Sequence, residues 1–334
     1  MKKYLLLTML LFGFMCGRVE RGFVIKVSLP QNPEEPQIKA VEYFKQVVEE
    51  KTAGGVRVQI FPNNQLGNQR DVTEGIQLGT IEMSNVASVM AGFVPEVNIF
   101  ELPFLFENRE HFYAVLDSEI GESLRSSFAR RGFHYFGCFD AGVRHIMTVN
   151  KPLHTAADLV GLKIRTMENP LHLAAFKAFG ANPLPMAYGE LYTALEQKVI
   201  DGAEAANTNY FSKKFYEPAP YWAQIGWIHL VEYVVMSLYF YERLPDEYRR
   251  IIDEAAQKMI ALERVGYRTA DEETLQKLVD AGVQLTYPDK DKFLEASQQV
   301  YKDWAYKVGG MELIERIRYF DYTSRTKEKE HGIS

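Results

Sequence analysis

Between Phe23 and Ser88 the hydrophobic residues change period four times. In FVIKVSLP, Val24, Lys26 and Ser28 alternate with Ile25, Val27 and Leu29, which is strand spacing. QIKAVEYFKQVVEEKT, opened by Pro36, places Ile38, Val41, Phe44, Val47 and Val48 at helical spacing and stops at Gly54 and Gly55. VRVQIFP is again a strand, QRDVTEGIQLGT a helix closed by Gly79, and IEMSNVAS strand-like. This β-α-β-α-β order predicts an α/β fold, a mainly parallel sheet with helices on both faces.

The alternation resumes further on. FHYFGCFDAG and RHIMTVN read as two strands, TAADLVG as a short helix and LKIRT as a strand. PLHLAAFKAFGA is a helix closed by Gly180, NPLPMA is extended, YGELYTALEQKV is helical, and IDGAEAA returns to the sheet. From Asp246 to Ala281 the pattern is helical, with Gly266 its one breaker. A helix of that length runs ~50 Å, so it must bridge both α/β units or kink. The segment from Asn209 to Tyr241 is rich in aromatics, which suit either core packing or a stacking surface beside a ligand.

A chain of 334 residues is too long for one small core, so two lobes are expected. The expected organisation is a signal peptide over 1–22, one lobe from 23–142 plus 231–270, a second from 143–230 plus 271–325, and a tail over 326–334. The signal rests on MKKYLLLTMLLFGFMCG: two lysines, then an apolar run too short to span a bilayer. The protein is therefore expected in the periplasm. Cys16 stands where a lipoprotein carries its lipid, but Met15 and Phe14 are bulkier than cleavage there normally wants. A lipid anchor is thus the secondary reading. The other cysteine, Cys138, sits in an apolar run and reads as a small buried hydrophobe.

A net charge of −6, without a run of five like charges, gives no basic field for nucleic acid. The short signatures of nucleotide-binding loops, serine hydrolases, zinc proteases and Cys-x-x-Cys sites are missing. Asp289 and Asp291 lack the glycine and distal glutamate of a calcium loop. A binding protein without cofactor or metal is therefore expected, not an enzyme. Arg144 opens one strand and Arg165 ends another, where ligands gather in open α/β sheets. A guanidinium there can hold a carboxylate through two parallel hydrogen bonds, or it can pair with a glutamate such as Glu190 or Glu204. Spacing alone leaves these alternatives equal.

QLGNQRDVTEGIQLGTIEMS, VPEVNIFELPFLFEN, GLKIRTMENPLHLAAFKAFGANPLPMAYGELYTALEQKVIDGAE and KFYE, in this order, resemble the substrate-binding subunits of TRAP (tripartite ATP-independent periplasmic) transporters. The resemblance runs from about Phe23 to about Arg318. It implies a two-lobed, monomeric receptor that captures an organic acid in the cleft and delivers it to an ion-gradient-driven membrane permease. Service to an ABC importer or a sensor kinase, or a periplasmic enzyme acting on organic acids, are the alternatives. In that family the arginine of KIR holds the ligand carboxylate, which corresponds to Arg165. A second arginine corresponds to Arg144, and the cleft aromatic to Tyr188. Gln31, Asn32 and Asn68 occupy two cleft loops of the family, with Asn85 and Ser88 as further polar candidates. The chain departs from the pattern after DGAE, where the family's asparagine is replaced by Ala205 and Ala206. Asn207 is the expected substitute, and a dicarboxylate or sialic-acid specificity does not transfer.

Overall fold

The computed structural model describes residues 22–322. Residues 1–21 of the expected signal peptide, Cys16 among them, and the expected tail therefore lie outside the described residues. Among the described residues nine strands form one sheet: β1 (Phe23–Ser28), β2 (Val56–Phe61), β3 (Met83–Val86), β4 (Phe133–Thr148), β5 (Lys163–Thr166), β6 (Asn182–Pro185), β7 (Gly202–Ala205), β8 (Tyr221–Ser237) and β9 (Gln284–Thr286). The order is β2-β1-β3-β8-β4-β7-β5-β6, with β9 also on β8. Pairs β1–β2, β1–β3, β5–β6 and β5–β7 are parallel, as the alternation predicts, while β8 and β4 run antiparallel to their neighbours β3 and β7.

FHYFGCFDAG and RHIMTVN are not two strands but one, β4, which pairs with β8 along nearly its whole length. The register shifts between Tyr135 and Gly137, between Asp140 and Val143, and between Arg144 and Ile146. Bulges let one strand bend where two would otherwise need a turn. At the middle bulge Gly142 has φ +79°, and a Cβ there would stand 2.6 Å from the Tyr267 hydroxyl and 2.7 Å from Ala206 Cβ. Glycine meets both demands at once. Asp140, beside it, accepts from Tyr113 Oη at 2.6 Å and from Gly142 N at 2.7 Å. His229 Nε2 lies 2.9 Å away and Arg109 Nε 3.0 Å. Burial alone would raise this carboxyl, but His229, Arg109 and Tyr113 hold it well below the usual carboxylate range.

The helix Asp246–Asp280 is continuous through Gly266. Its first half packs Ile252, Ala256 and Met259 on Ile25, Val27 and Phe44 of the β1 side. Its far end sends Leu278 into a separate core with Met147, Leu191, Tyr210 and Trp222. One rod thus ties the two halves of the sheet together, and no kink is required. The aromatic segment resolves in favour of packing: Tyr210, Trp222, Trp227 and Tyr233 are all fully buried. Cys138 on β4 is buried as well, its Sγ 2.8 Å from Tyr135 Oη, and burial pushes its thiol up to about 12.

Candidate functional site

Where β4 crosses from one half of the sheet to the other, a cavity opens between the halves. The carboxyl ends of β1 and β5 converge there, with the loop after β1, the turn before helix Leu191–Glu196 and the helix Asn207–Ser212.

At one end stand Arg144 of β4 and Arg165 of β5, both buried. Between them lies Glu204 of β7, buried completely. Arg144 Nε donates to Glu204 Oε2 at 2.7 Å, its Nη2 to the Glu204 carbonyl at 3.2 Å, and its Nη1 to Asn209 Oδ1 at 3.5 Å. Arg165 Nη1 donates to Glu204 Oε1 at 3.4 Å, and its Nε and Nη2 to the Met186 carbonyl at 3.0 and 2.7 Å. Of the two alternatives left open by spacing, the structure shows the pairing with a glutamate, Glu204, and both arginines also line the cavity. Burial raises the Glu204 carboxyl, but Arg144 and Arg165 together pull it below its ordinary value. Two guanidiniums and one carboxylate leave a net charge of +1.

Tyr188 also lines the cavity, its ring edge-on to Phe215 with centroids 5.9 Å apart. Gln31 lines it and donates from Nε2 to Glu232 Oε1 at 2.8 Å. The remaining expected residues lie elsewhere. Asn85 stands behind the wall, donating from Nδ2 to Glu232 Oε2 at 2.6 Å. Asn32 faces across to the opposite half, where its Nδ2 donates to the Ser212 carbonyl at 2.8 Å and its Oδ1 accepts from Lys213 Nζ at 2.5 Å. Asn68 is the N-cap of helix Gln69–Leu78. Ser88 is sealed in the core, its hydroxyl donating to Glu101 Oε2 at 2.5 Å, with His172 Nε2 2.7 Å from the same oxygen. Serine, histidine and glutamate meet there with no accessible surface, so the cluster cannot meet a substrate.

Asn207 does not substitute for the family's asparagine. It does not line the cavity: its Oδ1 accepts from Trp222 Nε1 at 2.9 Å and Gln224 Nε2 at 3.0 Å, and one Nδ2 N–H goes to Asp271 at 3.2 Å. Nor does Ala205 form a cleft floor: it is buried in the apolar core with Met147, Tyr210 and Trp222. Side chains alternate along a strand, so with Glu204 turned to the arginines, Ala205 must face away.

Among the cavity residues that were not anticipated are Glu35, Gln37 and Glu232. Glu232 offered a signal. It is the single carboxylate in the run WIHLVEYVVMS, whose strand is buried on both faces, so it had to be buried too. Burial pushes its carboxyl up to about 7, with the charge of Glu35 adding and bonds from Asn85 and Gln31 opposing.

The family model of bacterial extracellular solute-binding protein family 7, DctP, matches residues 28–307. The 2,3-diketo-L-gulonate-binding periplasmic protein of Escherichia coli K12 is 31% identical over 270 residues, covering 80% of this chain and 82% of that one. A TRAP periplasmic solute binding protein from Polaromonas sp. JS666, bound to D-erythronate, superposes with a TM-score of 0.87 at 29% identity, covering 90% of this chain and 99% of that one. Another, from Sulfurospirillum deleyianum with bound succinate, gives 0.85 at 31% identity and covers 89% and 98%. The order of elements, the cavity and these likenesses agree: the chain belongs to bacterial extracellular solute-binding protein family 7 and is a TRAP-transporter solute-binding protein.

Proposed function

We propose that this protein captures a small organic acid with its carboxylate on Arg165 and Arg144, closes over it, and presents it to a TRAP membrane permease. The arginine pair carries the reading. Each guanidinium has five N–H groups and spends three on the protein, which leaves two apiece for a ligand. One carboxylate brings the matching lone pairs and cancels the residual positive charge. The relatives that bind diketogulonate, erythronate and succinate support a carboxylate as the common denominator.

Closure would bring together a lobe of 23–142 plus 231–270 and a lobe of 143–230 plus 271–325. Lys213 spans them: its Nζ donates to Pro30 O at 3.1 Å, Asn32 Oδ1 at 2.5 Å and Asn63 Oδ1 at 2.8 Å. Arg70 and Glu168 form a second bridge at 3.4 Å. A ligand that binds only between closed lobes shifts the population toward them, and excluding water strengthens its hold on the arginines. The protein would work as a periplasmic monomer, exported by its signal peptide. A thermal-shift screen of carboxylates, neutral sugars and amino acids tests the reading. Stabilisation by carboxylates is expected, and stabilisation by neutral sugars alone overturns it.

A further inference from the structure

The cavity has a second polar end, and its chemistry is opposite to that of the arginines. Glu232 on β8 presents a carboxylate of which Gln31 and Asn85 occupy one lone pair on each oxygen. Gln37 lines the same end, and its buried Oε1 has no partner. In this orientation of the amide its Nε2 donates to the Asp140 carbonyl at 3.4 Å, a bond that a flip would replace by oxygen against oxygen. Between the two ends runs an apolar strip of Ala87, Ala141, Met167 and Leu230.

We propose that Glu232 and Gln37 read hydroxyl groups on the ligand, so that this receptor selects polyhydroxylated monocarboxylates over dicarboxylates of equal length. The proposal rests on the carboxylate reading of the arginine end. An unpaired acceptor needs a donor, and a buried polar group left without one is costly. A ligand hydroxyl supplies that donor with no charge. A second ligand carboxylate supplies only acceptors, and it would enter beside Glu232 and Glu35 as a third negative group. The single positive charge left at the arginine end is already used by the first carboxylate.

Protonation of Glu232 gives the discrimination a pH signature. The charged groups around it are Glu35 in the loop after β1, Arg144 of β4 and Glu263 of the long helix. With the Glu232 carboxyl pushed up to about 7, it is mostly ionised at pH 8 and mostly protonated at pH 6. Dicarboxylates gain at pH 6 a donor that they lack at pH 8, whereas hydroxyls can pair with either form.

Titration calorimetry with D-erythronate, D-ribonate and D-gluconate against succinate, glutarate and adipate tests this. In the wild type at pH 8 a hydroxy acid binds tightest, at least ~10-fold above the matched dicarboxylate. The ratio narrows at pH 6. Glu232→Gln weakens the best hydroxy acid ~10- to 100-fold and narrows the ratio at pH 8, while Gln37→Leu weakens the hydroxy acid alone. Melting curves of both variants confirm the fold. A dicarboxylate that binds the wild type as tightly as the matched hydroxy acid, or a ratio unmoved by Glu232→Gln, overturns the inference while the arginine reading stands. Undiminished binding of both series by Arg165→Ala overturns the arginine reading and this one with it.

Discussion

Glu204→Gln isolates the charge of the arginine cluster with almost no change of shape. In the wild type one fully buried carboxylate lies 2.7 Å from Arg144 and 3.4 Å from Arg165, and both guanidiniums are almost wholly out of solvent. Removing it strands two like charges in a low-dielectric site. Breaking a buried pair in this way costs ~3 to 5 kcal/mol. The lower figure applies, because the Gln oxygen can still accept from Arg144, and the Met186 and Glu204 carbonyls still hold both forks. With an unfolding entropy of ~2.1 cal/mol/K per residue over roughly 300 residues, ~3 kcal/mol lowers Tm by ~5 °C. The bound acid then meets a charge of +2 in place of +1. Ligand stabilises in proportion to ln(1 + [L]/Kd), so the same concentration of acid must raise Tm more in the variant than in the wild type. Differential scanning calorimetry with and without ligand measures both numbers. A ligand-free Tm within a degree of wild type would show that the arginines are not confined charges, and the electrostatic account of the site would fail.

Arg165→Ala is expected to fold and to lose ~30- to several-thousand-fold in affinity, and Arg165→Lys to stay at least ~10-fold weak because an ammonium cannot present the planar fork. Calorimetry on variants with native circular dichroism decides this, and near-native affinity in Arg165→Ala would make the residue a purely structural partner of Glu204 and Met186. Lys213→Met removes three hydrogen bonds across the cleft and should raise the ligand off-rate by ~10-fold in stopped-flow experiments, with the on-rate little changed; an unchanged off-rate removes Lys213 from the closed-state bridge. Folded Glu232 keeps its proton up to about pH 7, while the unfolded chain releases it near 4.5, so wild-type stability falls as pH rises across that window. Without ligand, Glu232→Gln should therefore overtake the wild type above pH 7 by up to about 3 kcal/mol in denaturant titrations, and parallel pH profiles would refute the burial of that charge.

Much of this architecture is legible in the sequence because hydrophobic period reports local structure directly. Arg165 was recoverable for a related reason, since it ends a recognisable strand, whereas Tyr188 was reached through the family resemblance alone. The polar candidates divided by facing direction, which neighbouring residues do not encode. Gln31 reaches the cavity while Asn32, one position on, crosses the cleft to Ser212 and Lys213. Asn207 is turned away from the cavity by bonds to Trp222, Gln224 and Asp271, which lie 15, 17 and 64 residues away in the chain. The continuity of β4 was hidden by its glycines, which look like turn residues but here relieve bulges.

Cys138 makes the molecule a reporter on itself. A thiol this deep and this reluctant to ionise is invisible to alkylating reagents until the backbone around it opens. Its strand neighbour Phe139 pairs in register with Glu232, so the opening that frees the sulfur also unzips one wall of the ligand cavity. In a chain from which Cys16 has been removed, the alkylation rate is then the intrinsic thiol rate multiplied by the equilibrium constant for that opening. Bound acid must be released before the wall parts, so each tenfold excess of ligand over Kd should slow the labelling about tenfold. A single sulfur atom that binds nothing can thus read affinity for ligands that carry no chromophore.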